Sequence, residues 1–304
     1  MKSNRVLFNG ERRNIMIKVI ASGLYTSLQD LGRFGYRNLG VPVSGAMDLQ
    51  AAVAANLLLG NDPQRTVMEI TASGPVLEFE MPAMIAISGA SFAPQLNGFG
   101  LAMNKSVQIP SGGVLSFGSP TRGLRAYVAI QGGFHSEKVL GSASYYEGIT
   151  SRSKLKRGAI LEFNSDAKEI SPFETSEIET AINFDVTEIQ VTKGPEFDRL
   201  SNATQSTLMD NSFTVGPKSN RMAYFLNHSE GISAKEIITA PVQPGTVQLT
   251  PSGRIIILTR DAQTTGGYAR ILQLTEPALN ILAQKRAGMS LRFKMIDLLS
   301  DTPV

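Results

Sequence analysis

The 304-residue chain has no cysteine, no tryptophan and only two histidines, His135 and His228. The missing cysteines exclude disulfides, a thiolate nucleophile and a thiolate metal site together. Two histidines leave almost nothing from which to build a histidine zinc site, and a Ser-His-Asp triad would have to use one of them. His135 follows the Gly132-Gly133 turn and His228 sits among Asn227, Ser229 and Glu230, so both read as exposed turn residues. No metal-ligating set is assigned; any metal would be a hard cation such as magnesium, held by carboxylates and substrate phosphates. Charge of one sign is scarce too, with 29 basic against 26 acidic residues. The densest basic run, Arg152, Lys154, Lys156 and Arg157, lacks interleaved aromatics and reads as a solvated loop, which sets nucleic acid aside as a partner. No segment approaches the roughly 20 apolar residues of a membrane span. The first residues lack the apolar core of a secretory signal, so a cytoplasmic protein with no membrane contact is expected. Several nucleotide and hydrolase signatures are also absent: no GxxxxGK[ST], no GxGxxG after a strand, no GxSxG. Ser151-x-x-Lys154 matches a short S-x-x-K pattern only within a charged turn.

What is present is a globular composition, 42% hydrophobic and 18% charged, broken by 28 glycines into short apolar runs. Runs such as 84–88, 125–130 and 255–259 are short and bounded by glycine or polar turns, as buried strands are. A helix is predicted over residues 48–59, with Asp48 as N-cap and Gly60-Asn61 as stop. A second is predicted over 276–284, with Pro277 in its first turn, and a third, short one around 220–226. The segment from Val41, VPVSGAMDLQAAVAANLLLGN, also resembles that from Val215, VGPKSNRMAYFLNHSEG. Ile17 and Val19 are answered by Ile189 and Val191, Glu69-Ile70-Thr71 by Glu236-Ile237-Ile238, and 75–79 by 245–249. Residues 84–88 are answered by 255–259, and 113–117 by 288–293. The offset stays near 170 residues throughout, which argues for duplication. The expected organisation is a poorly ordered extension over 1–15, a first β-rich unit over 16–165, a polar connection over 166–184, and a second unit over 185–298.

Three stretches carry chemistry. Gln29-Asp30-Leu31-Gly32-Arg33 gathers an amide, a carboxylate and a guanidinium around a glycine turn. It reads either as an anion clamp or as a turn in which Arg33 pairs with Asp30. Ser44-Gly45-Ala46-Met47-Asp48 ends at a helix start, which is either a simple cap or an anion site built on backbone N–H groups. Asp261-Ala262-Gln263-Thr264-Thr265-Gly266-Gly267-Tyr268 follows a buried strand and has more hydrogen-bonding groups than an ordinary turn needs. Its two glycines allow close backbone approach to a ligand. Arg125 lies in a glycine-bounded strand and faces either a site or an edge.

The strings SLQDLGRFGYRNLGVPVSGAMD, ANLLLGN, GLRAYVAIQGG, VLGS, VGPKSNRM and DAQTTGGY, in this order and spacing, resemble the allophanate hydrolase subunit 2 family. That family includes the C-type subunit of prokaryotic 5-oxoprolinase and the carboxyltransferase region of urea carboxylase. The resemblance runs from about residue 16 to 293. It implies a mainly β fold of two tandem, related cyclophilin-like barrel units with a few short helices. It also implies a subunit-B-type partner of the allophanate hydrolase subunit 1 family and a subunit-A-type partner. The implied reaction is 5-oxoproline with ATP and water to glutamate, ADP and phosphate, ATP acting in the complex with magnesium. In that scheme a phosphorylated amide oxygen becomes a better electrophile. The expected catalytic set is Gln29, Asp30, Arg33, Asp261 and Gln263. The expected substrate-binding set is Ser44, Gly45, Met47, Asp48, Arg125, Ser219, Arg221, Met222, Thr264, Thr265, Gly266, Gly267 and Tyr268. Within these, Arg33, Arg125 and Arg221 are read as anion clamps, and the first and third stretches as lining one shared cleft.

The chain departs from the family pattern at three places. Asn220 stands where the family usually has aspartate, Ala143 where arginine follows Leu-Gly-Ser, and Ala262 where a basic residue often precedes Gln-Thr-Thr-Gly-Gly. Two alternatives therefore stand beside the first reading. One is a biotin-dependent carboxyltransferase component acting on urea or another amide, with biotin on a separate carrier because no Met-Lys-Met carrier sequence is present. The other is a regulatory subunit that binds a subunit-B-type partner without chemistry of its own.

Overall fold

Strand alternation in the first half sorts the core from the site. The computed structural model describes residues 15–163, 183–227 and 231–297. The strand Val67–Thr71 sends Met68 and Ile70 into an apolar core shared with Leu28, Ala126 and Val128. Because side chains alternate along a strand, Val67, Glu69 and Thr71 face the other way. The first half forms a five-stranded sheet in the order Tyr25–Gln29, Val67–Thr71, Arg122–Ile130, Ala83–Ser91, Ser106–Ile109. Its second sheet has seven strands, in the order Phe134–His135, Ile160–Phe163, Ile15–Ala21, Val76–Phe79, Val114–Ser116, Gln95–Leu96, Phe99–Gly100. Ile17, Val19, Leu77, Phe79 and Leu161 from this sheet complete the same core.

The second half closes into a seven-stranded barrel. Its order is Glu188–Lys193, Ala269–Leu274, Thr246–Leu249, Ile255–Leu258, Ala223–Asn227, Phe213–Val215, Ser290–Met295, the last pairing in parallel with the first. The protein is thus mainly β with short helices, as expected. Closure by continuous strand pairing belongs to the second half, whereas the first buries its core between two sheets.

Three α-helices occur among the described residues. Helix α1 (Leu49–Leu57) starts where Asp48 accepts the Ala51 N–H, and its alanines Ala51, Ala52 and Ala55 pack closely on Val67, Ala86 and Ala129 of the five-stranded sheet. Helix α2 (Asn202–Asp210), capped by Ser201, was not expected. Its sequence NATQSTLMD is poor in strong helix formers and buries only Thr204 and Leu208. Helix α3 (Glu276–Ala283) has Pro277 in its first turn, as predicted, and Thr275 as its cap.

The predicted helix over 220–226 is instead a turn followed by the strand Ala223–Asn227. Tyr224 and Leu226 alternate into the barrel core while Phe225 points away, a period of two that three short apolar residues cannot distinguish from a helical turn. The likeness of the segments from Val41 and Val215 therefore does not extend to their secondary structure. Glu236-Ile237-Ile238 likewise lies outside any strand, unlike Glu69-Ile70-Thr71. The other four matches are strands in both halves, but with different neighbours: Ile15–Ala21 pairs with Val76–Phe79, whereas Glu188–Lys193 does not pair with Thr246–Leu249. Of the expected extension over 1–15, residues 1–14 lie outside the described residues and Ile15 already opens a strand; most of the connection and His228 also lie outside them. His135 is exposed in the strand Phe134–His135, and Arg152, Lys154, Lys156 and Arg157 are exposed. Among the described residues no helix is long and apolar enough to cross a membrane.

Candidate functional site between the halves

The polar face of the five-stranded sheet is built in rows. Tyr25, Thr71 and Arg125 are register partners on three adjacent strands, and Ser27, Glu69 and Tyr127 form the next row. Helix α1 covers the apolar end of this face, while the barrel covers the polar end. Between the halves lies a cleft of about 860 Å³, with Tyr25, Thr71 and Arg125 on one wall and Ser219, Arg221, Tyr224, Asp261 and Lys285 on the other.

Beneath this cleft is a buried charge network. Arg221 donates from Nε and Nη2 to both oxygens of Asp261, at 2.8 and 3.0 Å, and from Nη1 to Glu69 Oε1 at 2.5 Å. Its Nη2 also reaches the Gly45 carbonyl at 2.7 Å and Gln29 Oε1 at 3.4 Å. The other Glu69 oxygen accepts from the Met47 N–H and the Tyr127 hydroxyl. Arg125 donates to the Tyr224 hydroxyl and the Ala283 carbonyl, and its Nε lies 3.9 Å from Glu69 Oε1. Two guanidiniums and two carboxylates thus balance within one buried cluster. That balance matters, because an unpaired buried charge would be strongly unfavourable.

The electrostatics follow from this packing. Burial alone would raise the Glu69 carboxyl, but Arg221 and Arg125 hold it below its ordinary value. Burial opposes the Arg221 cation, yet Asp261 and Glu69 outweigh it and push its pKa well up. Burial and the Glu69 carboxylate raise the Tyr127 phenol far above its ordinary value. Asp48 is pushed up to about 6 by burial, against the hydrogen bonds from Gln284 and Ala51.

Gln284, at the end of α3, joins the halves through four hydrogen bonds. It accepts from the Leu124 and Arg125 N–H groups and donates to Asp48 and to the Arg125 carbonyl. Met47 adds an apolar lock, since this first-half side chain sits in the barrel core.

The sequence-selected residues divide sharply against this geometry. Arg125, Ser219, Arg221, Met222 and Asp261 line the cleft, and Gln29 touches it only through Arg221. Asp30 does not reach it. Its carboxylate accepts from Gly32 N, Ser142 Oγ, Ser144 Oγ and Ala143 N. Arg33 is fully buried and neither clamps an anion in the cleft nor pairs with Asp30; it donates to the carbonyls of Val139 and Ser144. The anion site expected at 44–48 is closed as well. Ser44 N donates to Arg260 O, Ala46 N to Asp30 O, Met47 N to Glu69 and Asp48 N to Tyr127. The amides that would cradle a phosphate are already taken by protein acceptors. Ser44 and Asp48 are buried, and Gly45 serves the network through its carbonyl, which accepts from Arg221.

The third stretch contributes Asp261 alone. Thr265–Gly266 pairs with Ala240–Pro241, Gly267 O accepts from Ile237 N, and Thr264 O accepts from Val242 N. Gln263, Thr264, Thr265, Gly266, Gly267 and Tyr268 do not line the cleft. They belong to a small, separate two-stranded ribbon. The two stretches that were expected to share a cleft therefore meet only at Gln29 and Asp261, through Arg221.

The three departures have structural roles. Asn220 braces its turn by accepting from Met222 N at 2.7 Å, the Ala143 N–H holds Asp30, and Ala262 is buried in a small apolar cluster. Glu69, Tyr127, Tyr224 and Gln284 were not selected from sequence. One signal was available: a carboxylate in the otherwise apolar run Val67-Met68-Glu69-Ile70 marks a buried charge that must have a partner.

Comparison with known proteins gives a consistent neighbourhood. A family model described as carboxyltransferase domain, subdomain A and B, matches residues 39–295. The chain is 32% identical over 285 residues to the C-type subunit of 5-oxoprolinase from Escherichia coli (strain K12), covering 91% of this chain and 90% of that protein. It is 37% identical over 145 residues to urea amidolyase of Saccharomyces cerevisiae, covering 47% of this chain and 8% of that protein. The crystal structure of Kluyveromyces lactis urea carboxylase superposes with a TM-score of 0.84 at 28% identity, over 96% of this chain and 28% of that one. That of TTHA0988 gives 0.82 at 28% identity, over 93% of this chain and 56% of that one.

Proposed function

Since the chain belongs to the carboxyltransferase domain family, subdomains A and B, we propose that it is the C-type subunit of an ATP-dependent 5-oxoprolinase, working with A- and B-type partners in the cytoplasm. The observation that carries this reading is coverage. The match to the Escherichia coli 5-oxoprolinase protein takes in about nine-tenths of both chains, so little of that relative's length is left unmatched. In this reading the substrate is a small amide with a carboxylate, bound in the cleft between the halves. Asp261 and Ser219 orient the amide, and the cationic wall at Arg125 draws the carboxylate. The charge network beneath holds these groups in place before substrate arrives, so that little reorganisation is needed as negative charge develops on the amide oxygen. ATP supplies the driving force for opening the lactam. The closed amides at 44–48 do not fit a triphosphate, so its binding is assigned to the partner subunits.

A second reading, carboxyl transfer to urea or another amide from biotin on a separate carrier, is favoured by the superposition on urea carboxylase over almost the whole chain. One experiment separates the two. The chain is co-expressed with A- and B-type partners and assayed for 5-oxoproline-dependent ATP hydrolysis, and separately for carboxyl transfer from carboxybiotin to urea. Turnover in the first assay that needs all three chains supports the proposal. Turnover only in the second replaces it.

A further inference from the structure

Residues 145–155 run along the outer edge of the strand Tyr25–Gln29. Tyr145 N donates to the Leu28 carbonyl and Leu155 N to the Thr26 carbonyl. The segment thereby completes the first-half wall of the cleft, which Tyr146, Glu147 and Ser153 line beside Tyr25. Two phenols stand on this wall in different hydrogen-bonding states. Tyr25 donates its only hydroxyl proton to the Ser153 carbonyl at 3.1 Å, which leaves its oxygen to act as an acceptor. The Tyr146 main chain is braced on Thr150. Its hydroxyl has no hydrogen-bond partner among the described residues, so its proton is free to be donated. The Asp261 and Glu147 carboxylates act on both phenols, and Arg221 acts on Tyr25 as well, so both hydroxyls look onto the charged side of the cleft. Burial, foremost, raises both phenols above their ordinary pKa, with Arg221 opposing at Tyr25 and Asp261 adding at Tyr146. Both therefore keep their protons at neutral pH. Asp261 can only accept, and both its oxygens already serve Arg221. The phenols supply a further acceptor and, unlike the carboxylate, a donor.

We propose that Tyr25 and Tyr146 read the amide edge of the substrate, Tyr25 Oη accepting from the amide N–H and Tyr146 Oη donating to its carbonyl oxygen. This pairing rests on the reading of the cleft as the amide site, and it narrows the substrate class. Both amide groups must lie on the same edge. A lactam ring holds them so, and a urea or a primary amide also presents an N–H beside its carbonyl. A trans peptide bond turns the two groups to opposite edges and cannot satisfy both phenols. The donor at the carbonyl also stabilises negative charge as it develops on that oxygen.

The test measures binding rather than turnover, by isothermal titration calorimetry of the assembled complex without ATP, or of the chain alone where no complex forms. The probes are 5-oxoproline and 3-oxocyclopentane-1-carboxylate, which has a methylene in place of the ring N–H and keeps the carbonyl and the carboxylate. Wild type is expected to prefer 5-oxoproline by about tenfold, the worth of one hydrogen bond. Tyr25→Phe should abolish that preference by weakening 5-oxoproline alone. Tyr146→Phe should weaken both probes by about tenfold and leave their ratio unchanged. A wild-type protein that binds both probes equally or neither would overturn the proposal, as would a Tyr25→Phe variant that keeps the preference or a Tyr146→Phe variant with wild-type affinities. Should either variant fail to fold, the wild-type comparison of the two probes decides alone. The expected ratios without any 5-oxoproline-dependent ATP hydrolysis would remove the 5-oxoprolinase reading and leave the phenol pair standing.

Discussion

Arg221 of the barrel and Glu69 of the five-stranded sheet form an ion pair at 2.5 Å across the boundary between the halves, with both side chains almost wholly buried. The pair links the barrel turn at 219–222 to a central first-half strand, and so fixes the width of the cleft above it.

Breaking this pair from one side should cost more than removing it from both. Arg221→Met leaves Glu69 and Asp261 buried with one distant cation, and a loss of roughly 3–5 kcal/mol is expected. In the triple variant Glu69→Gln, Arg221→Met, Asp261→Asn much of that loss should return. Urea denaturation of the two proteins measures the difference, and equal stabilities would show that the charges are not coupled.

Asp48 sets a pH dependence of unusual sign. Its folded pKa is about 6 against an ordinary 3.8, so between these values the folded chain binds more protons than the unfolded one. Stability from this group therefore falls as pH rises from about 4 to about 6, by roughly 3 kcal/mol in the limit. Asp48→Asn keeps one oxygen for the Ala51 cap but turns an NH2 group towards the Gln284 amide donor in place of the second oxygen. It is expected to flatten the slope between about pH 4 and 6, with a pH-independent loss of about 1 kcal/mol or more from the broken Gln284 bond. Denaturation midpoints at pH 5 and pH 8 decide this, and a wild-type slope in Asp48→Asn would refute it.

Arg33 is a structural prop. Arg33→Ala removes two charge-assisted bonds to the 139–144 turn, and a loss of about 2–3 kcal/mol is expected. A variant that melts like wild type but fails in catalysis would restore the clamp reading suggested by sequence.

Asp261 is the cleft residue best suited to a mutational test of activity. Asp261→Asn keeps the shape of the bidentate partner of Arg221 while removing its charge. A fall on the order of a hundredfold in 5-oxoproline-dependent ATP hydrolysis by the assembled complex is expected, with assembly itself intact by size-exclusion chromatography. Wild-type turnover would move the active site out of this cleft.

Helices α1 and α3 were legible because their starts are local chemistry: Asp48 and Thr275 cap their own next turns, and Pro277 suits a first turn. The strands at 84–88 and 255–259 were legible because continuous apolar runs have few alternatives. The strand Ala223–Asn227 was not, since it is too short for its period to show and only its barrel neighbours select it.

For the candidate site, sequence alone set Asp261 in a stretch richer in hydrogen-bonding groups than a turn requires, and marked Arg125 and Arg221 as anion clamps. It could not determine their partners. Arg33 and Arg221 are the same residue type in similar turns, yet one holds backbone carbonyls inside the first half and the other crosses to Glu69, 152 positions away. A guanidinium pairs with whatever acceptor the fold brings within about 3 Å. That distance is set by how the barrel docks on the sheet, through Met47, Gln284 and α3, and by nothing local to either arginine.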